Sequence, residues 1–213
     1  MSHPQVMSPF PYKSPKDHVY VEQAFSRFDQ IEIYKNVLSK DLYTKMVNTL
    51  IDIPWGYGRK STPADRLNFW YQELTKVDLF RNDIFKIILD LSKKKFKIHS
   101  IVANGQTFGQ DGEPHHDTIS ESLITHTFLL YASPLSHIKL ETHHPLKWNP
   151  LAGGKTLFLE NIADVGIKTK CVDPIPNSAV LFPADMVHYG EAYHRAFAHL
   201  RVTIAYKLIH SNE

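Results

Sequence analysis

The chain has 213 residues, 43% of them hydrophobic and 12% aromatic, with a formal net charge of +2. That composition suits one folded domain and excludes a disordered or fibrous chain. A single cysteine rules out an intrachain disulfide and a multi-cysteine zinc site, and so mild a charge disfavours nucleic acid as a partner. No run of about 18 apolar residues is present to span a membrane, so a soluble, reducing, cytoplasmic setting is expected.

Residues 1–18, opening with "MSHPQVMSPFPYKSPK", are rich in Pro and Ser. They lack the apolar centre of a signal peptide and read as a loose arm, leaving 19–213 as a single domain. "IEIYKNV" is a short strand. Ser39 then caps a helix whose apolar positions Leu42, Met46 and Leu50 recur every four residues. "PWGYGRKSTP" reads as a loop and "NDIFKIILDLSKKK" as a second amphipathic helix, with the lysines of residues 93–97 as its solvated end. From "FKIHSIVANG" onward, short β-rich runs are separated by Gly, Pro and Asn turns: "THTFLLYAS", "KTLFLEN", "SAVLFP" and "HLRVTIAYKLI". Helices first and strands afterwards predict an α+β fold, a helical layer against a double-sheet barrel or sandwich.

Thirteen histidines are the one compositional oddity. In "EPHHD", strand alternation lets His115 and Asp117 share a face and turns His116 to the other. A His-x-Asp pair alone is a weak signal. It gains weight from His188, after a strand and a Pro turn, and from Arg201, inside a run that otherwise reads as buried strand. A buried guanidinium demands an anion. Two histidines and a carboxylate on one side of a metal are the facial triad of non-haem Fe(II) oxygenases, which leaves positions for a 2-oxo acid and O2. Arg201 would hold the far carboxylate of that acid by a planar, two-pronged contact. A core arginine paired with some Asp or Glu is the competing reading.

These residues resemble the Fe(II)/2-oxoglutarate-dependent dioxygenases, and their prolyl 4-hydroxylase branch most. "GQTF…EPHHD", "FLLYASP", "WNPLAGGKTLF" and "PIPNSAVLFPADMVHYG" are similar to successive segments of that family over roughly residues 98–208, with "GQDG" at 109–112 as an insertion. The resemblance implies a double-stranded β-helix (jelly-roll) core with N-terminal helices packed on one sheet. It implies His115, Asp117 and His188 as catalytic metal ligands, and Fe(II) and 2-oxoglutarate as cofactors with ascorbate as auxiliary reductant. O2 and a peptide, protein or small-molecule substrate would be the partners. Tyr131, fourteen residues after Asp117, would touch the oxoglutarate C5 carboxylate beside Arg201. Val102 stands where many relatives carry a tyrosine, so Asn104 on the same strand face is the candidate for the C1 end, an ordinary turn residue before Gly105 being the other reading. The longer link after Tyr131, residues 135–146 with His137, His143 and His144, reads as a substrate-facing flap or a solvated hairpin.

"GGKT" is not a phosphate loop, because the first glycine of that motif is missing and a strand follows. Lys207, six residues after Arg201, fits an AlkB-type nucleic-acid demethylase, which carries a second basic residue there; the weak net charge opposes it. A hydroxylase of a free amino acid or small metabolite is a further alternative. A cupin-like binding module without turnover would have no need of all four site residues.

Overall fold

The computed structural model describes residues 26–63, 65–118, 123–132, 149–162, 166–197 and 199–211. The expected arm and the 135–146 segment with its three histidines lie outside the described residues. Among the described residues ten strands, β1 (Glu32–Tyr34), β2 (Gly56–Arg59), β3 (Phe69–Glu73), β4 (Phe96–Gln106), β5 (His126–Tyr131), β6 (Thr156–Ile162), β7 (Gly166–Val172), β8 (Ala179–Pro183), β9 (Val187–Gly190) and β10 (Arg201–His210), form two sheets. The larger has the order β1-β8-β5-β10-β4-β3-β2 and the smaller β7-β6-β9. The segment around His115 extends the smaller sheet beyond β9, through a bridge in which His115 and His188 exchange backbone hydrogen bonds of 3.0 Å each.

Among the described residues two α-helices cover the outer face of the larger sheet. In α1 (Lys40–Asp52) the Ser39 hydroxyl accepts from Leu42 N, as the cap predicts, and Tyr43, Met46, Val47 and Leu50 are buried. They pack with Ile88 of α2 (Phe85–Ser92) onto Ile101, Phe128, Leu130, Ile204 and Tyr206 of the sheet. Each such side chain taken out of water contributes roughly 1.5–3 kcal/mol. A second, smaller core of Leu129, Phe158, Val180, Phe182, Met186 and Ala205 fills the space between the sheets. Alternate residues of β5 and β10 therefore serve the helices and the sheet interface in turn, so both strands are buried on both faces and read as continuous apolar runs.

Three local expectations are corrected. The "PWGYGRKSTP" loop contains β2, an edge strand paired to β3 with a register shift at Gly58, whose φ is +118°. The glycines there hide any alternation. The second helix starts earlier, with a π-helical turn over Leu79–Ile84, and stops at Ser92, where Lys93 adopts a left-handed conformation. Within residues 93–97, Phe96 is already the buried first residue of β4, and Lys94 pairs with Glu32 at 2.6 Å, so the cluster is not simply a solvated helix end.

Candidate metal centre and its cavity

Between the sheets lies a cavity of about 770 Å³, a size usual for small-molecule sites. Its floor is the inward face of β4 and β10: Val102, Asn104 and Gln106 on one, Arg201, Thr203, Ala205 and Lys207 on the other. The register sets these side by side, Arg201 opposite Gln106, Thr203 opposite Asn104 and Lys207 opposite Ser100. His188 on β9, with His115 and Asp117 on the segment bridged to it, comes from the opposite side.

The ligating atoms of these last three lie within 4.8 Å of one another. His115 Nε2 stands 3.5 Å from Asp117 Oδ1, and His188 Nε2 is 3.6 Å from Oδ2. Both rings are fixed from behind by backbone carbonyls, His115 Nδ1 by Glu113 O at 2.8 Å and His188 Nδ1 by Met186 O at 3.0 Å. A proton held at Nδ1 by a carbonyl leaves the Nε2 lone pair facing inward, the usual arrangement behind a metal-bound histidine. Burial pulls the His188 pKa down to about 4, against the opposing pull of Asp117, so the ring is neutral and can act as a donor at neutral pH. Burial alone would raise the Asp117 pKa, but Lys207 and His188 outweigh it and hold the carboxyl well below its ordinary value. The carboxylate is oriented by the Thr127 hydroxyl, which donates to Oδ2, and by the Lys207 ammonium on the same oxygen. His116 also borders the cavity but is not one of the clustered residues, its Nδ1 lying 2.7 Å from Asp185 O.

At the far end Arg201 is 2% exposed. Its Nε donates to Gly154 O at 2.7 Å, Nη1 to Gln106 Oε1 at 2.6 Å and Nη2 to Thr156 Oγ1 at 3.2 Å. A guanidinium has five N–H donors, and among the described residues no carboxylate forms an ion pair with this one. Gly190 keeps the space above it open, since a Cβ there would stand 3.1 Å from Nη1 and 3.2 Å from Nη2. Tyr131, fully buried, donates to Thr156 Oγ1 at 2.8 Å. It thus reaches the cavity through Thr156, which lines it. With both lone pairs of Thr156 Oγ1 occupied, by Tyr131 and Arg201, its own proton is available to the cavity. Asn104 lines the same wall, and its buried Oδ1 has no hydrogen-bond partner.

No family model matches the sequence, and no curated protein matches it. Solved structures do. A Pseudomonas putida prolyl-4-hydroxylase superimposes with a TM-score of 0.61 at 14% identity, covering 86% of this chain and 94% of that one. The fold is that of the 2OG-Fe(II) oxygenases. An oxidoreductase of that family from Burkholderia pseudomallei gives a TM-score of 0.62 at 9% identity, over 87% and 88% of the two chains. A Trichoplax adhaerens prolyl hydroxylase, solved with a hypoxia-inducible-factor peptide, gives 0.61 at 15% identity, over 86% of each.

On this oxygenase scaffold the structure brings His115, Asp117 and His188 into one cluster and sets Arg201 and Asn104 on the same cavity wall. Sequence reasoning passed over Thr127 and Thr156, whose hydroxyls look like ordinary strand residues until the register aims them inward. It noted Lys207 only by its offset from Arg201. No helix among the described residues is long and apolar enough to cross a membrane.

Proposed function

We propose that the protein is an Fe(II)- and 2-oxoglutarate-dependent dioxygenase that hydroxylates an unactivated C–H bond, with succinate and CO2 as co-products. The observation that carries this reading is the pairing of two features in one cavity. One end holds two inward-facing imidazoles and a carboxylate, and the other a buried guanidinium that no described carboxylate pairs with. The donor set suits iron(II), and the guanidinium under Gly190 suits a carboxylate. Iron and oxoglutarate, when bound, supply the oxidising chemistry: O2 takes two electrons from the oxo acid and two from the substrate C–H bond.

His115, Asp117 and His188 would hold the metal. Arg201 and the Thr156 hydroxyl would bind the C5 carboxylate of oxoglutarate, with Tyr131 fixing the Thr156 rotor from behind. Asn104 is placed to meet the other end of the oxo acid. Apolar Val102, Leu129 and Ala205 between these polar points limit water in the cavity, which strengthens each charge-assisted contact. Support for a prolyl substrate comes from the fold shared with two prolyl hydroxylases. The test is anaerobic calorimetric titration of the Mn(II)-loaded protein with oxoglutarate, followed by aerobic succinate formation with Fe(II). Oxoglutarate binding that the metal strengthens, and succinate that needs both Fe(II) and O2, are the expected results. Oxoglutarate binding without any turnover would leave a binding module instead.

A further inference from the structure

The cavity holds two positive charges more than the proposed cofactors use, one at its rim and one inside. Among the described lining residues Asp117 is the only carboxylate, whereas Arg59, Lys60, Arg201 and Lys207 are cationic. Arg59 is matched by Glu73 at 3.2 Å. On the oxygenase reading, a metal dication, the Asp117 carboxylate, the oxoglutarate dianion and the Arg201 guanidinium sum to zero. Lys60 on the rim and Lys207 inside then remain, the latter with its side chain only 19% exposed beside a carboxylate whose charge the metal would share. A half-sequestered ammonium without a counter-charge is unfavourable, and a substrate anion would relieve it.

Position agrees with charge. Arg201 and Lys207 lie on the same face of β10, about 20 Å apart by the ordinary strand rise, with the metal cluster at the Lys207 end. Oxoglutarate anchored at Arg201 therefore leaves the Lys207 end to the substrate. Beside Lys207 the β4–β10 register slips, so that Ser100 pairs with Lys207 and Ile98 with Leu208, leaving His99 as the extra residue. This bulge turns both His99 and Ser100 into the cavity and adds two hydrogen-bonding groups next to the ammonium. Across the mouth, the loop carrying Lys60 is tied down by Asp65, which accepts from Ser61 N at 2.7 Å and Thr62 N at 3.0 Å.

We infer that Lys207, with His99 and Ser100 beside it and Lys60 on the rim, binds a carboxylate of the substrate, so that the substrate is a small molecule or chain end with a free carboxylate near the C–H bond that reacts. This rests on the oxygenase reading and narrows it. A free amino acid and a C-terminal residue satisfy it; a residue internal to a peptide does not. One short ammonium close to the metal suits a single carboxylate better than the repeated phosphates of a nucleic acid, which would ask for a basic track.

The experiment uses the full chain with saturating Mn(II) and oxoglutarate under argon, so a change in metal affinity does not enter. Binding near the metal is read as paramagnetic broadening of ligand proton NMR lines. The probes are free amino acids, short monocarboxylates and glycyl dipeptides, each beside its carboxamide, with an internally placed prolyl peptide and a short single-stranded oligonucleotide. Carboxylates should occupy the site at least about tenfold more tightly than their amides, as expected for a charge-assisted contact. That preference should vanish in Lys207→Met and persist in part in Lys207→Arg. Free amino acids against dipeptides then separate a metabolite from a chain end. Equal binding of acids and amides, a preference that survives Lys207→Met, or tightest binding by the internal peptide or the oligonucleotide would each overturn the inference. Failure to bind Mn(II) and oxoglutarate at the outset would instead strike the oxygenase reading itself.

Discussion

Replacing Arg201 by Met separates an anion-binding arginine from a structural one. The guanidinium makes three hydrogen bonds, to Gly154 O, Gln106 Oε1 and Thr156 Oγ1, and its removal leaves those acceptors short of a donor. The same removal relieves the burial of a charge, an effect of several kcal/mol in the opposite sense, so the ligand-free melting temperature should move little. An arginine paired with a hidden carboxylate behaves differently. Stranding the partner costs about 3–5 kcal/mol, and for a chain of this length the melting temperature would fall by about 10 °C or more.

The ligand response gives the second half of the test. Oxoglutarate at a hundred times its dissociation constant stabilises the parent by about 2.7 kcal/mol, or roughly 5–11 °C for a domain of this size. Losing two charge-assisted hydrogen bonds to the carboxylate costs at least about 3 kcal/mol, more than a hundredfold in affinity. At the same ligand concentration the Arg201→Met protein should then shift by about 1 °C. Differential scanning fluorimetry with Mn(II), with and without oxoglutarate, measures both quantities. A full oxoglutarate shift in Arg201→Met would refute the assignment of Arg201 as the anchor.

Three further outcomes are expected. His115→Ala should lose Mn(II) binding, followed by electron paramagnetic resonance, while His116→Ala keeps it, because only His115 faces Asp117. Thr156→Val should weaken oxoglutarate binding about ten- to a hundredfold and Tyr131→Phe by about threefold to tenfold, since the tyrosine acts through the threonine; a reversed order in calorimetry would place the tyrosine hydroxyl on the carboxylate itself. Burial would raise the pKa of Asp65, but hydrogen bonds from Thr62 and Ser61 outweigh it and the pKa is lowered, so its stabilisation is present above the unfolded carboxylate range and is lost as pH falls through the folded value. Urea melts of Asp65→Asn should accordingly show a deficit of roughly 1–3 kcal/mol at pH 7 that closes in acid.

What the sequence made legible is what a strand writes on one line. Arg201 stands out because an arginine inside "HLRVTIAYKL" contradicts its neighbours, and His115 with Asp117 because spacing by two is the strand period. The cap at Ser39 and the helical spacing behind it were equally plain. β2 was hidden, because an edge strand containing Gly56 and Gly58 shows no alternation of apolar side chains. Thr127 and Thr156 were hidden for another reason. A threonine suits any strand, and only pairing partners, Lys207 opposite Thr127 on β10 and Gly190 opposite Thr156 on β9, show what each hydroxyl faces.

The placement of charge on β10 follows from the same register. Residues 202, 204, 206 and 208 turn to the helices and are all fully buried apolar or aromatic side chains. Residues 201, 203, 205 and 207 turn to the cavity, and there polarity rises at both ends and falls to Ala205 between them. A strand that only served stability would not place a buried arginine at one end and a lysine at the other, since each charge must find a counter-charge across the cavity. The Lys207 ammonium pairs with Asp117, whereas Arg201 hydrogen-bonds only neutral acceptors among the described residues, with Glu191 and Asp111 acting on it from beyond ion-pair distance. On the proposed reading the two ends would take different ligands: Arg201 the anion of the oxo acid, and Lys207 a second anion once a metal shares the charge of Asp117. That reading predicts binding in the order metal first. Carboxylate binding at the Lys207 end should accordingly be weak in the metal-free protein and strengthen when metal is added, whereas oxoglutarate should retain a weak, Arg201-dependent affinity without it. Equilibrium dialysis with and without chelator tests the order, and tighter monocarboxylate binding in the metal-free protein would contradict it.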